Sequence, residues 1–474
     1  MTHINVASQS YVLDKTNAEK LMTLEIQTPE AAQSTSTLPQ LEQEQEFNWR
    51  HCWYPVAFVQ DLPKNRPYSF CLYDEPFVFF TNQEGKLTCL TDRCPHRAAK
   101  LSDGQIIDGK IECLYHGWQF GSEGECLHIP QLPADAKIPV NSCVQSFTVS
   151  EHQGIVWVWP GEPQAANEEY IPTLAALDKP GFVHTDFMLD LPYDQTYFVE
   201  NVMDPAHVSV SHHGTRGGGN RKNAKPLDME VLESSKALIR GRWRQTEKPD
   251  DVWKHIDLFA PNLVLNTAEF KDRGWSFGLA LYSIPLGKGR CRLLARGYRN
   301  FFTWTAKLKP RWLEHWNTNK ILEQDLPIIV GQQAQIERLG ESLKDLYLPL
   351  KTSDVFVIEY RKWLDKFGQS LPFYQGYSTS SHTGDKDGCN NQSALSDRFS
   401  RHTQICSSCN RAYQTTNRLK QVSVGVAIAL FSLAIVTDSF EMQIAAVSAS
   451  LGAVALAVIA QIVKTKFERS YKRH

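Results

Sequence analysis

The chain has 474 residues, which at about 150 residues per domain predicts two or three folded units. Hydrophobic residues make up 42% of it and charged residues 22%, a composition that excludes collagen-like, coiled-coil and wholly disordered proteins. Fifty lysines and arginines against 52 acidic residues leave a formal net charge of −2, too small a field to attract nucleic acid through its phosphates. We therefore expect no nucleic-acid partner.

The cysteines are odd in number, eleven, and some fall in short Cys-x-His, Cys-x-x-His and Cys-x-x-Cys units. This pattern favours metal or redox chemistry in a reducing compartment over a disulfide scaffold. The N-terminus has no apolar run and the first arginine is Arg50. The sequence therefore predicts neither a secretory signal nor a transit peptide.

Residues 1–46 are rich in Gln, Glu, Ser and Thr, which predicts a disordered tail. From 47 to 162, short apolar runs alternate with turn signals such as Asp108-Gly109, Glu123-Gly124 and Gln153-Gly154. Asp-Gly between β-branched runs is a strong signal for a type I′ hairpin. Residues 47–162 are therefore predicted to form a small all-β domain.

Residues 182–372 contain both helical spacing and strand-like alternation of apolar residues. Helical spacing covers 191–207 and 312–339, where Pro327 should kink or interrupt the helix, and strand-like alternation covers 230–300. The prediction is a second, α+β domain.

A polar segment, residues 373–420, is predicted to be a linker. After it, 422–437 and 444–463 contain no charge, and the second run is long enough to cross a bilayer. Basic residues flank the pair on both sides, which predicts a transmembrane hairpin over 421–464 with both ends on the cytoplasmic or stromal-equivalent side. The alternative is a buried, Ala-rich helical hairpin.

The strongest motif is Cys94-Pro95-His96-Arg97 followed by Cys113-Leu114-Tyr115-His116-Gly117-Trp118. Two thiolates and two imidazoles on two loops are the ligand set of a Rieske [2Fe-2S] cluster, with Cys94 and Cys113 on one iron and His96 and His116 on the other. A zinc site with the same ligands is the alternative, although such sites more often pair the cysteines as Cys-x-x-Cys.

A second motif contains His207 and His212, preceded by Asp204. Two imidazoles and a distant carboxylate form the facial triad of a mononuclear non-haem Fe(II), which leaves positions open for O₂. Alone the histidine pair is a weak signal. A one-electron donor and an O₂-activating iron can serve the same reaction. The Rieske motif earlier in the chain therefore strengthens the prediction of an iron site at the histidine pair.

Together the motifs resemble those of the Rieske non-haem iron oxygenases. The residues within and around the motifs are similar to those of the pheophorbide a oxygenase group. The matching segments are 92–97, 99–102, 112–120, 129–133, 203–207, 217–219 and 397–409, the last ending in Cys406-x-x-Cys409.

The resemblance implies a helix-grip catalytic domain, in which an antiparallel sheet curves around a long helix. It also implies a carboxylate as the third iron ligand. Asp325 is the best candidate and Glu323 the second. His213 is adjacent to His212, but the four-residue spacer favours His212.

The implied protein is a membrane-anchored monooxygenase that uses O₂ and electrons from ferredoxin or an equivalent donor. Its implied substrate is an apolar, chlorophyll-derived macrocycle, most closely pheophorbide a with ring opening. The alternatives are a chlorophyllide or protochlorophyllide oxygenase, or a redox-sensing or electron-transfer membrane component.

Asp204 is a candidate catalytic residue. In a helical segment its carboxylate would share a face with His207 and accept a proton from the ring nitrogen that iron does not use. The resemblance also implies a homotrimer in which this aspartate links His116 of one subunit to His207 of the next. The alternative is a turn residue before Pro205. Cys406 and Cys409 are either a redox switch or an incidental pair.

Overall fold

The computed structural model describes residues 47–215, 219–379 and 397–471. The predicted tail, residues 1–46, lies outside the described residues, as does the middle of the predicted linker, 380–396.

The N-terminal part is all-β, as predicted. Its strands are β1 (Tyr54–Phe58), β2 (Tyr68–Leu72), β3 (Glu75–Thr81), β4 (Leu87–Thr91), β5 (Gln105–Ile107), β6 (Lys110–Glu112), β7 (Gln119–Phe120), β8 (Cys126–His128), β9 (Ser146–His152) and β10 (Ile155–Trp159). They form a six-stranded sheet in the order β1-β10-β9-β4-β3-β2 and a four-stranded sheet in the order β5-β6-β7-β8.

Left-handed turns close the hairpins of these sheets. Asp108 and Gly109 have φ of 49° and 74° between β5 and β6, and Gln153 and Gly154 have 47° and 74° between β9 and β10. Two consecutive positive φ values characterise the type I′ turn. The turn between β2 and β3, Tyr73-Asp74, has the same conformation at φ of 51° and 64° without glycine, so the sequence did not signal it.

The second part combines one large sheet with helices. Its strands are β11 (Val183–Leu191), β12 (Leu227–Ser234), β13 (Leu238–Gln245), β14 (Lys254–Phe259), β15 (Leu263–Phe270), β16 (Trp275–Gly287) and β17 (Arg290–Arg299). All pair antiparallel in the order β11-β17-β16-β15-β14-β13-β12. The helices are α1 (Gln195–Val202), α2 (Val208–Ser211), α3 (Thr305–Leu308), α4 (Arg311–Leu339), α5 (Leu343–Leu346) and α6 (Val355–Phe367). The predicted α+β class is confirmed.

Two helix predictions need correction. The helix expected over 191–207 is interrupted, because β11 runs to Leu191, α1 ends at Val202 and α2 begins only at Val208. The Asp204-Pro205 pair explains the break, since a residue before proline is pushed out of the helical region. In contrast, α4 continues through Pro327 without an interruption.

One core joins the two large sheets and the long helix. Leu326 and Ile329 of α4 belong to the same buried cluster as Leu294 of β17. Trp157 of β10 meets Tyr282 of β16 edge to face, with ring centroids 5.6 Å apart. The first sheet is therefore fixed against the second, and α4 is held on the same core.

Two long helices end the described chain, α7 (Ser407–Val436) and α8 (Phe440–Glu468). They pack on each other through small residues, and the Ser450 hydroxyl donates to the Ala427 carbonyl at 2.9 Å. Because α7 begins at Ser407, the last part of the predicted linker, up to residue 420, is helical. A π-helical turn, Phe399–Thr403, precedes it.

Candidate functional site

Two loops of similar conformation carry the first motif. The Cys94 carbonyl accepts the amide of Ala98, and the Cys113 carbonyl accepts the amide of Gly117, each at 2.9 Å. Ala98 and Gly117 both have positive φ, 57° and 75°. The repeated turn brings each cysteine and the histidine that follows it to the same end of the four-stranded sheet.

The four side chains meet with the thiols inside and the imidazoles outside. Cys94 and Cys113 are each 2% exposed. The rings of His96 and His116 have centroids 4.4 Å apart, and His96 stacks on Trp118. Burial raises the pKa of Cys94 to about 11, so its thiolate needs positive charge beside it. This donor set fits a [2Fe-2S] cluster with a buried Cys pair and a more accessible His pair.

Asp92 holds the first loop in place. Its carboxylate accepts from the Ser102 amide at 2.7 Å and the Ser102 hydroxyl at 2.6 Å, and from Ser69 at 3.3 Å. The aspartate is buried. Because all three donors lie in other segments, they fix the chain immediately before Cys94.

The second motif converges with α4. The Nε2 atom of His212 lies 3.2 Å, and that of His207 3.7 Å, from Oδ2 of Asp325. One ligand atom from each of the three residues lies within 4.8 Å of the others. His212 and Asp325 are buried, and His207 is half-buried. The arrangement fits the two-histidine, one-carboxylate set of a mononuclear iron site.

The other ring nitrogens have partners that orient both imidazoles. His207 Nδ1 lies 2.5 Å from the backbone carbonyl of Asp204, and His212 Nδ1 lies 3.1 Å from Oε1 of Gln324. Both partners are acceptors, so each Nδ1 carries the proton and each Nε2 presents a lone pair toward Asp325. No local spacing in the sequence indicates this role for Gln324, because His212 lies more than 100 positions away along the chain.

The contact of Asp204 differs from the expected one. Its Oδ1 accepts from the amide of Ala206 at 2.7 Å, while its Oδ2 lies 3.6 Å from His207 Nδ1. The ring therefore bonds to the backbone carbonyl rather than to the carboxylate, because Pro205 ends the helix that was expected to align them. The carboxylate still acts on the ring. Burial lowers the pKa of His207, but the interactions with Asp204 and Asp325 outweigh burial, so the pKa of His207 is raised above its usual value.

The two competing ligand candidates are directed elsewhere. Glu323 is fully engaged by Arg398, with Nε to Oε1 at 2.8 Å, and by the amide of Tyr471 at 2.7 Å. His213 is exposed and accepts the amide of Arg221 at 3.2 Å. Among the described residues, the geometry therefore brings Asp325 and not Glu323 to the histidine pair.

Cys406 and Cys409 are free thiols in the structure, and both are buried. They face two buried imidazoles, those of His315 and His402. Burial lowers the pKa of His402 to about 3, so this ring is neutral. The sequence predicted the cysteine pair but not its histidine neighbours, because His315 lies on α4, far away along the chain.

The chain is similar to known proteins over most of its length. A family model of the Rieske [2Fe-2S] domain matches residues 52–148, and a model described as pheophorbide a oxygenase matches residues 259–342. The chain is 32% identical over 443 residues to pheophorbide a oxygenase of Arabidopsis thaliana, covering 86% of this chain and 81% of that protein. The chain belongs to the Rieske non-haem iron oxygenase family.

This Rieske oxygenase is also 36% identical over 421 residues to the protein TIC 55 of Arabidopsis thaliana, covering 83% of this chain and 78% of that protein. Both relatives are designated chloroplastic. The crystal structure of dicamba monooxygenase bound to dicamba superposes with a TM-score of 0.57 at 22% identity, over 68% of this chain and 97% of that one. That likeness shows the shared fold.

Family membership confirms the predicted enzyme class, a Rieske [2Fe-2S] iron-dependent oxygenase. It implies one [2Fe-2S] cluster, one mononuclear iron, an electron donor and O₂. The matched Rieske segment includes all four residues of the first motif, and the matched pheophorbide a oxygenase segment includes Asp325.

Proposed function

We propose that this Rieske oxygenase is a membrane-anchored monooxygenase that oxidises a chlorophyll-derived macrocycle, with pheophorbide a as the substrate and a ferredoxin-type protein as the electron donor. The observation that carries the proposal is the convergence of His207, His212 and Asp325. An electron carrier has no use for a second metal site with open positions, whereas an oxygenase requires one.

Each of the two groups of side chains described above would bind one metal cofactor. Cys94, His96, Cys113 and His116 would hold the [2Fe-2S] cluster, and the triad would hold Fe(II). When bound, the cluster supplies single electrons and the mononuclear iron supplies the site of O₂ activation.

Asp204 has two tasks in this proposal. Its carbonyl keeps the proton on His207 Nδ1, and its carboxylate, whose Oδ1 caps the turn at Ala206, is available to link subunits. We propose a homotrimer in which Asp204 links two subunits, its carbonyl bonded to His207 of its own chain and its carboxylate to His116 of the neighbouring subunit. The partly exposed ring of His116, at the tip of its loop, supports such a contact.

The C-terminal hairpin is proposed as a two-pass anchor with the catalytic domains on the side of both flanks. The most apolar windows of α7 and α8 have mean hydropathies of 2.0 and 2.2, yet only 11% and 17% of them is buried. A core hairpin of a soluble domain would bury most of its apolar surface, so the exposure favours a lipid contact. An apolar macrocycle could then reach the enzyme from the same bilayer.

The choice of pheophorbide a rests on the relative named for that reaction and on the matched family segment. A second candidate is an electron-transfer or redox-sensing membrane component, for which the Rieske motif alone would be sufficient. The triad separates the two, because only the oxygenase depends on it.

The proposal is tested with a matched pair of neighbouring histidines. The full-length protein with reduced ferredoxin is given pheophorbide a, chlorophyllide a and protochlorophyllide, and O₂-dependent product is measured by mass spectrometry. We expect product from pheophorbide a, its loss in His212→Ala, and its retention in His213→Ala, whose ring is exposed and accepts a hydrogen bond from the Arg221 amide. Equal activity of the two variants, or no product from any of these macrocycles, would contradict the proposal.

A further inference from the structure

A second group of metal-type ligands lies outside the oxygenase centres. His315 of α4, His402 of the π-helical turn, and Cys406 and Cys409 at the start of α7 place their ligand atoms within 4.8 Å of one another. All four residues are at most 2% exposed. Two stretches that are distant in the sequence, α4 and residues 402–409, thus place side chains around one buried point.

The distances match a tetrahedron around one small ion. His315 Nδ1 lies 3.2 Å from His402 Nε2, 3.4 Å from Cys409 Sγ and 3.6 Å from Cys406 Sγ, and His402 Nε2 lies 3.2 Å from Cys409 Sγ. Tetrahedral zinc with Zn–S of about 2.3 Å and Zn–N of about 2.0–2.1 Å requires N–N of about 3.3 Å and N–S of about 3.6 Å. The observed separations agree within a few tenths of an ångström.

Both rings are oriented as ligands. His315 Nε2 bonds to the Asp186 carbonyl at 2.8 Å, and His402 Nδ1 bonds to the Met188 carbonyl at 2.6 Å, both on β11. A carbonyl only accepts, so the outer nitrogens carry the protons and the inner nitrogens face each other with lone pairs. Neither can donate to the other. This is the arrangement in which backbone carbonyls fix the tautomer of metal-binding histidines.

We propose that His315, His402, Cys406 and Cys409 bind one Zn²⁺ in a closed structural site. Two thiolates balance the charge of the ion, so the buried group is neutral overall. All four tetrahedral positions are filled by protein, which distinguishes the site from a catalytic zinc with an open position.

A second [2Fe-2S] cluster does not fit. Such a cluster places the thiolate pair and the imidazole pair on different irons, so the distances between the pairs must exceed those within a pair. Here the distance between the two ring nitrogens, 3.2 Å, equals that from His402 Nε2 to Cys409 Sγ. The cysteines are also free rather than joined in a disulfide. The site therefore takes a single ion.

The position indicates what the ion does. It connects the first turn of α7, where the membrane hairpin begins, to α4 and to β11 beneath it. The same junction holds Asp61, whose Oδ1 accepts from the Ser407 amide at 2.8 Å and from Arg311 at 2.9 Å. Asp325 lies further along α4, about 15 Å from His315 at 1.5 Å per residue. The zinc therefore fixes the hairpin to the catalytic domain without contacting the oxygenase iron.

The test is metal analysis of the full-length protein, purified in detergent without chelators after expression with zinc and iron. We expect one equivalent of zinc per chain, falling below 0.1 equivalent in the double variant Cys406→Ser/Cys409→Ser, while iron and the Rieske absorption are unchanged. Cys143→Ser is the matched control, because Cys143 is an exposed cysteine outside the cluster, and should keep its zinc.

A second measurement on the unmodified protein guards against misfolding of the variant. Zinc-edge X-ray absorption should give two sulfur neighbours at about 2.3 Å and two nitrogen neighbours at about 2.0–2.1 Å. The proposal is overturned if the protein contains no stoichiometric zinc, if its zinc has no sulfur neighbours, or if peptide mapping finds Cys406 and Cys409 joined in a disulfide. None of these results depends on turnover, so the outcome is independent of the proposed oxygenase activity.

Discussion

The hydrogen bond between Gln324 and His212 offers a sharp test of how the triad is held. Gln324→Leu keeps the approximate volume of the side chain but leaves the Nδ1–H of His212 without its acceptor at 3.1 Å. Both residues are about 95% buried, so water does not readily replace the lost partner. An unsatisfied buried donor costs about 1–3 kcal/mol.

The same range follows from metal-site chemistry. Loss of a partner that orients a metal-binding histidine weakens the site about 10–100-fold, which is about 1.4–2.7 kcal/mol. We therefore expect the affinity of the mononuclear site for Fe(II) to fall about 10–100-fold in Gln324→Leu. Anaerobic competition with an Fe(II) chelator measures it, with the Rieske absorption as an internal reference.

Two controls accompany this variant. Gln335→Leu makes the same change on the same helix, at an exposed glutamine whose side-chain oxygen accepts hydrogen bonds from Arg338. Gln324→Glu keeps an acceptor oxygen for His212. Both should retain Fe(II) affinity within about threefold of the unmodified protein, well inside the expected loss. Unchanged affinity in Gln324→Leu would refute the assigned role of this hydrogen bond.

Three further predictions concern the cluster, the subunit contact and the anchor. His96→Ala and His116→Ala should each abolish the paramagnetic signal of the reduced cluster, measured by electron paramagnetic resonance, and an unmodified protein that contains no inorganic sulfide would contradict that assignment. Asp204→Asn keeps an oxygen for the turn, so both metal centres should load while single-turnover product falls more than about tenfold; near-normal product or an active monomer would contradict the link. Ile435→Asp with Ile459→Asp, on exposed apolar faces of the two helices, should release the protein from membranes, while salt washing of the unmodified chain should not.

The features that could be predicted from the sequence are those that depend on residues close together in the chain. The residues of each pair, Cys94 with His96 and Cys113 with His116, lie within one loop, so a short motif is sufficient to predict them as ligands. The hairpin at Asp108-Gly109 follows in the same way from the backbone preferences of those two residues.

Choices between neighbouring residues required the folded chain. Glu323 and Asp325 are two positions apart on α4, so their side chains point in different directions around the helix. The sequence could not tell which one faces His212, and contacts made by Arg398 and Tyr471 from the C-terminal segments decide it. The contact between Asp204 and His207 could not be predicted either. The break at Pro205 brings the His207 ring to the backbone carbonyl of Asp204 rather than to its carboxylate.

The proposed zinc site was the feature least accessible to prediction from the sequence. Cys406 and Cys409 form a recognisable pair, but His315 joins them only through the packing of α4 against α7. No spacing rule connects a histidine to cysteines more than 90 positions away along the chain. The bonds from both histidines to carbonyls of β11, which orient them, likewise depend on tertiary structure.

The measurement that most directly tests the central claim is a single turnover in ¹⁸O₂. Full-length protein with its cluster pre-reduced is mixed with pheophorbide a, and the product is analysed by mass spectrometry. The account predicts one ¹⁸O atom in the product, and none when Asp325→Ala replaces the unmodified protein. Reoxidation of the cluster without incorporation of ¹⁸O into any chlorophyll-derived macrocycle, or incorporation that persists in Asp325→Ala, would contradict it.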